Sequence, residues 1–346
     1  MSYLIYLIIP ILLILLSKNV NNRKFSVADY IIMMIMSMVC GLRYNVGTDY
    51  FLYTKMYNYL ESFPRIEIFF QKLITFMNSI GLNSTHFFLV TSLMITIISY
   101  TAIKKNSKYP AESLFLYVTL GFYAFQFNVI RQSLAIGIIL YATKYMYDKN
   151  FLKYFILVLC ASLCHTTALV MIPVYFLANV NWDKKKKVLI LILMFALSFA
   201  YESIINLVIK YFPTYAVYLS VNDYTFDSAG LGTYLILFFN MIMFGFILKN
   251  EEKLIEYNPQ NKMYINLVLF SFLFSFLGLN NTVMIRPGYY LSIYLVFILP
   301  DLYRVCKLKV KSTNSMALII FFLIYYMIHL YFFNSMIPYK TIIFRG

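Results

Sequence analysis

The chain has 346 residues, 62% of them hydrophobic and only 12% charged, with a formal net charge of +15. A soluble protein of this size carries about 25% charged residues, and a lipid-facing surface is the simplest physical reason to need so few. Composition therefore predicts an all-α, polytopic integral membrane protein. A nucleic-acid partner is not expected, because the lysines fall between apolar runs instead of collecting on one folded face.

In chain order, Met1 to Leu16 is an apolar run with no basic residue before it and with Lys18, Arg23 and Lys24 after it. A cleavable signal peptide has the opposite polarity, so the run reads as an uncleaved first span. A second apolar stretch, Phe25 to Leu42, leads directly into Arg43-Tyr44-Asn45-Val46-Gly47-Thr48-Asp49-Tyr50. Further segments of membrane length follow, at 84–103, 109–129, 130–147, 151–165, 166–181, 187–210, 230–248, 263–280, 287–304 and 315–333, which makes about twelve spans. The run Leu114 to Met146 is too long for one crossing of roughly 30 Å, so it must turn near Gln126, Asn128, Arg131 and Gln132.

Basic residues sort by alternate loops. Twenty of the 29 fall in one set, from Lys18, Arg23 and Lys24 through Lys104, Lys184 to Lys187 and Arg304, and the positive-inside rule makes that side cytoplasmic. Arg43, Arg131, Arg286 and Arg345 then lie on the outer side, with Asp49, His165, Asp223 and Asp227. Ile66 to Ile80 contains Glu67, Gln71 and Lys72. Counting it as a span would invert every later loop, so it reads as an amphipathic helix at the outer interface. The expected organisation is one membrane domain over 1–346, with an outer segment at 43–82 and an outer loop at 211–229. The four cysteines lie in or beside apolar runs without CxxC spacing, so no metal centre or disulfide framework is expected.

Charges that remain on the outer side need a reason to be there. Arg43 precedes a Gly-Thr-Asp turn, Arg131 sits in the turn of the long run, and Arg286 opens Arg286-Pro287-Gly288-Tyr289-Tyr290. Guanidinium groups hold phosphate oxygens in bidentate geometry, so the three are candidates for one anion site; snorkelling to lipid headgroups is the plain alternative. His165 lies between two apolar runs, and imidazole titrates near working pH, which suits a general base. Asp49 is a second candidate base, or the N-cap of a helix beginning at Tyr50. Glu202 reads as buried late in the 187–210 span, where a carboxylate needs a partner or a proton.

The Arg43 to Tyr50 run resembles a signature of the EpsG family of bacterial polysaccharide polymerases, relatives of the Wzy O-antigen polymerases. Arg131-Gln132-Ser133-Leu134-Ala135 is similar to that family's Arg-Gln-x-Leu-Ala segment. Ala161 to Leu169, with Pro173, resembles its helix ending in Ala-x-x-x-His, and Met336-Ile337-Pro338-Tyr339-Lys340 its terminal Pro-Tyr segment. The resemblance implies a GT-C-like, multi-pass protein of the bacterial cytoplasmic membrane. Its implied reaction joins undecaprenyl-pyrophosphate-linked repeat units at the outer face, for O-antigen, capsule or exopolysaccharide, without a cofactor. His165 or Asp49 would be the base, and Arg43, Arg131 and Arg286 would hold the pyrophosphate. Tyr50, Gln132, Glu202 and Tyr339 are left between sugar contact and structural role. Membrane lipids, a flippase and a chain-length regulator are the expected partners. A flippase for lipid-linked oligosaccharide and a membrane O-acyltransferase are the competing readings.

Overall fold

A computed structural model describes residues 4–22, 24–211, 230–306, 312–333 and 336–344. Among these every regular element is a helix, and the only β pairing is an isolated bridge between Arg43 and Thr341. The expected outer loop 211–229, apart from Tyr211, lies outside the described residues, as do Asp223, Asp227 and Arg345.

The chain divides into two compact units, one formed by Met1–Tyr175 with Val296–Gly346 and the other by Phe176–Leu295. The first contains α1 (Leu4–Leu15), α2 (Val27–Gly41), α3 (Tyr50–Asn58), α4 (Ile68–Ser79), α5 (Ser84–Asn106), α6 (Pro110–Thr119), α7 (Ile130–Tyr147) and α8 (Phe151–Cys164). Helix α5 packs between α2 and α7, and α8 packs on the far side of α7. Helices α2 and α8 run toward the end that holds Arg43 and His165 while α5 and α7 run side by side away from it, so the unit has two chemically distinct ends.

One end is basic and tied by ion pairs. Lys104, at the close of α5, meets Asp29, in the first turn of α2, at 2.5 Å, and both side chains are buried. Tyr100 donates to the same carboxylate oxygen at 2.8 Å, while the Ser26 hydroxyl reaches the other at 2.7 Å. A buried pair is tolerable only when its remaining lone pairs are satisfied in this way. Close by in the chain, Arg304 meets Glu112 at 2.7 Å and covers the Tyr109 ring at 3.2 Å. The opposite end carries Arg43, Glu67, Arg131 and His165.

The long apolar run breaks where its length demands. Helix α6 stops at Thr119, Gly121 adopts φ +89°, a short helix covers Phe122–Phe125, and α7 begins at Ile130. The segment after Arg65 forms α4, whose 12 residues make about 18 Å, too short for a crossing. It buries Phe70, Ile74 and Met77 along one stripe, with Phe70 against Phe87 of α5.

Some of the expected spans are single long helices, and one is divided. Among the described residues, Ser84–Asn106 and Leu231–Lys249 are long and apolar enough to cross a membrane, with a third crossing if the bent pair Val283–Ser292 and Leu295–Val305 counts as one. Leu4–Leu15, Val27–Gly41 and Phe151–Cys164 are apolar but shorter, the last of them ending where the chain turns at His165. The expected 187–210 span is in fact two helices, α10 (Lys184–Phe199) and α11 (Tyr201–Tyr211), after α9 (Met171–Ala178). Glu202 is consequently exposed in the first turn of α11, where the helix dipole favours a carboxylate, and is not buried in a span.

The second unit is built on α10 packed against α13 (Gln260–Leu277), with α12 (Leu231–Lys249) beside them. Lys187 and Glu251 form a buried ion pair, and Lys184 meets Glu252 at 3.0 Å. Asn266 ties the chain after α9 to α13 through bonds of 2.9 Å to the carbonyls of Ala178 and Val180.

A candidate active site around Glu67

Two of the sequence motifs come together in space. The turn after α2 passes through Asn45 (φ +51°) and Gly47 (φ +94°) before α3 begins at Tyr50. A side chain at Gly47 would collide with Asn128 Oδ1 at 2.4 Å and the Phe127 carbonyl oxygen at 2.8 Å. Glycine is therefore required twice there, for the left-handed backbone and for the close approach of the turn that leads into α7.

Arg43 lies inside this junction, 1% exposed. Its Nε donates to Val46 O at 3.2 Å, Nη1 to Cys40 O at 2.6 Å, and Nη2 to Phe127 O at 3.1 Å. The guanidinium carbon stands 4.5 Å from the centre of the Phe88 ring and 5.2 Å from that of Phe127. Its donors are spent on carbonyls and its charge on ring faces. This places Arg43 as a brace between the two turns, unlike the exposed anion ligand expected from sequence. Tyr50 stacks on Phe88 at 4.8 Å and is likewise buried packing.

The C-terminal segment closes the same junction. Tyr44 N donates to Lys340 O at 2.9 Å and Ile342 N to Leu42 O at 3.0 Å. The Tyr339 hydroxyl reaches Val39 O at 2.9 Å, and its ring meets Tyr6 edge-on at 5.6 Å. Tyr339 thus serves as an anchor for a strap, with its hydroxyl engaged by backbone.

Arg131 and His165 meet through a residue that sequence reasoning passed over. Glu67 occupies the N-cap position of α4, yet its side chain makes no capping bond. Instead Oε2 accepts from Arg131 Nη1, and Oε1 accepts from His165 Nδ1 at 2.6 Å, with the Thr166 backbone N–H at 3.4 Å from the same atom. The three come from different elements. Arg131 is in the first turn of α7, and His165 is the extended C-cap of α8, where the backbone leaves the helix for a 3-10 turn at Thr166–Val170. Contact between α4 and α8 brings Glu67 to that corner. The side chain of Glu67 is 6% exposed, those of Arg131 and His165 27% and 18%. The cluster opens on its Arg131 and His165 sides.

Burial opposes the charge on Glu67, but His165 and Arg131 outweigh it and hold the carboxyl at about 2. It is therefore an ionised acceptor at any working pH, so Nδ1 of His165 carries a proton. In the neutral ring Nε2 then presents its lone pair, and no partner for it occurs among the described residues. The amino-acid signal for Glu67 was present, a lone acid at the start of an amphipathic segment. Its partners are 64 and 98 residues away, so spacing carries no trace of them.

Asp49 is half-buried at the N-cap position of α3, but its carboxylate accepts from the Thr48 hydroxyl at 3.1 Å and not from the helix N–H groups. Its charge acts on the hydroxyl of Tyr53, one turn on. That hydroxyl also lies against Arg131, and burial pushes it above the usual tyrosine range. Gln132 is buried beside Arg131 on α7. Arg286 belongs to the second unit, exposed on the 3-10 turn Thr282–Gly288. Among the described residues no cluster of histidine, cysteine or acidic side chains has the arrangement to hold a metal ion.

No curated protein and no solved structure matches the chain. A family model does, over residues 26–341, which include all four motif segments and the Glu67 cluster. That family is of the glycosyltransferase-like, polysaccharide-polymerase type. An apolar, helical membrane protein carrying these motifs, the chain belongs to the EpsG family.

Proposed function

We propose that the protein polymerises undecaprenyl-pyrophosphate-linked repeat units at the outer face of the bacterial cytoplasmic membrane, with His165 as the base. The observation that carries this reading is the placement of Glu67 between Arg131 and His165. A carboxylate on Nδ1 fixes the tautomer and steadies the imidazolium that forms when Nε2 takes a proton. The acceptor hydroxyl oxygen attacks the anomeric carbon of the donor, and its proton passes to Nε2. The bond from that carbon to the pyrophosphate oxygen breaks, and the lipid pyrophosphate leaves with the electron pair.

Arg131 keeps guanidinium donors beyond those that face Glu67 and Tyr53, and these stabilise the departing oxyanion. Both oxygens of Glu67 are engaged, so it is a positioning residue and not a nucleophile. A single displacement that inverts the anomeric centre follows. Arg43 supports the site as a brace, and Asp49 and Tyr53 steady the far side of Arg131. Placing the cluster outside agrees with the basic residues gathered at the opposite end of the first unit.

Glycan analysis of a strain lacking the protein tests this reading. Loss of the polymerase leaves single repeat units displayed at the surface. Absence of any displayed unit would point to the flippase reading, and full-length polymer altered only in its acylation to the acyltransferase.

A further inference from the structure

We propose that an apolar groove between α5, α7 and α8 holds the head-proximal part of the polyprenyl chain of the lipid-linked substrate. The groove has a volume of about 270 Å³ and is lined by Ile97, Ile98 and Thr101 of α5, Ile138 and Tyr141 of α7, and Leu157 of α8. It has room for a short stretch of hydrocarbon and not for a whole lipid.

Its direction relative to the Glu67 cluster is what selects the occupant. Between Ile130 and Thr143 the residues of α7 that are not buried are Arg131, Ile138 and Tyr141. Ile138 is seven residues beyond Arg131, two turns on the same face and about 10 Å along the axis. On α8, Leu157 precedes His165 by eight residues, about 12 Å. A molecule with its anionic head at Arg131 and its reacting sugar at His165 would therefore run its tail down the one open stripe of α7 into the groove. Close packing of α5 and α7 shapes the floor: a side chain at Gly137 would stand 3.0 Å from both Ile98 Cγ2 and Ser99 Oγ. At the far end Lys105 Nζ meets the Tyr141 hydroxyl at 3.4 Å, so the apolar track stops where the basic end begins.

This inference rests on the polymerase reading, and the test separates the two. A polyprenyl pyrophosphate saccharide with a photoreactive group on an isoprene unit near the head is cross-linked to the full chain in membranes, and the adduct is mapped by mass spectrometry. Adducts on Ile97, Ile98, Ile138 or Leu157, displaced by unlabelled polyprenyl pyrophosphate but not by phosphatidylglycerol, are expected. Adducts elsewhere, or equal displacement by the phospholipid, overturn the groove assignment. In parallel, Ile138→Phe fills the groove. It should slow polymerisation of the long-chain substrate by about tenfold or more relative to the wild-type protein, and should slow use of a donor with a single isoprene unit, too short to reach Ile138, by a smaller factor. The same fold-loss for both substrates, or no loss for the long-chain one, also overturns the groove assignment. Failure of the wild-type protein to extend either donor instead removes the polymerase reading itself.

Discussion

Arg43 and Arg131 stand in two matching family segments, and Arg43 holds the turn that leads to Arg131, yet they do different physical work. Arg43 is sealed, with carbonyls on its N–H groups and rings on its faces. Arg131 is partly open, and its charge faces Glu67 and, through Glu67, His165. An arginine whose donors are spent on backbone fixes two turns in place. One that shares a carboxylate with a partly exposed imidazole is placed to act on a substrate. The difference teaches that a guanidinium's role is set by what its donors have left to give, which a motif does not record.

Substitutions can break this comparison. The largest effect is expected at Glu67. Glu67→Gln keeps the shape but loses the charge that holds the His165 tautomer, and polymerisation should fall by about 10² to 10⁴-fold with the protein still accumulating in membranes. The same variant carries a pH signature. The folded protein holds this carboxyl at about 2 against an ordinary 4.5. The stability it confers is therefore complete above pH 4.5 and is lost as pH falls toward 2. Glu67→Gln should show a flatter acid limb in thermal unfolding between those values, whereas an unchanged limb would mean that the carboxylate is not held as described.

Arg131→Lys keeps a charge but loses the fork, so the rate should fall by about tenfold or more with little change in thermal stability. Arg43→Lys should do the reverse. An ammonium cannot reach three carbonyls, and the cost should be about 1–3 kcal/mol of stability, read as a lowered unfolding temperature in detergent, with most of the rate per folded molecule retained. If the two variants behave alike, the division between brace and ligand fails. Asp49→Asn should have the smallest effect, within a few-fold in rate, because an amide still accepts the Thr48 hydroxyl; complete loss of polymer would make Asp49 the base.

Much of this was legible in sequence because it is local. The break in Leu114 to Met146 follows from helix rise against bilayer thickness, and the short helix after Arg65 from its polar residues. His165 at a helix end and Arg131 at a helix start are positions a motif can show. What remained hidden depends on tertiary contact. Among the described residues the Glu67 carboxylate has no side-chain partner nearer in sequence than Arg131, and Arg43 is covered by Phe88 and Phe127, 45 and 84 residues on. Glu202 was misplaced for another reason: hydropathy runs on through Ala200, while the backbone does not.

The central claim is that His165, oriented by Glu67, takes the proton of the acceptor hydroxyl. The most direct measurement is the initial rate of chain extension by His165→Gln with a defined lipid-linked repeat unit, normalised to folded protein and set beside donor binding. The account predicts a rate lower by about 10² to 10⁴-fold with donor binding retained, since the glutamine amide still donates toward Glu67 but accepts no proton. Extension at the wild-type rate would contradict it and leave the histidine a structural partner of Glu67.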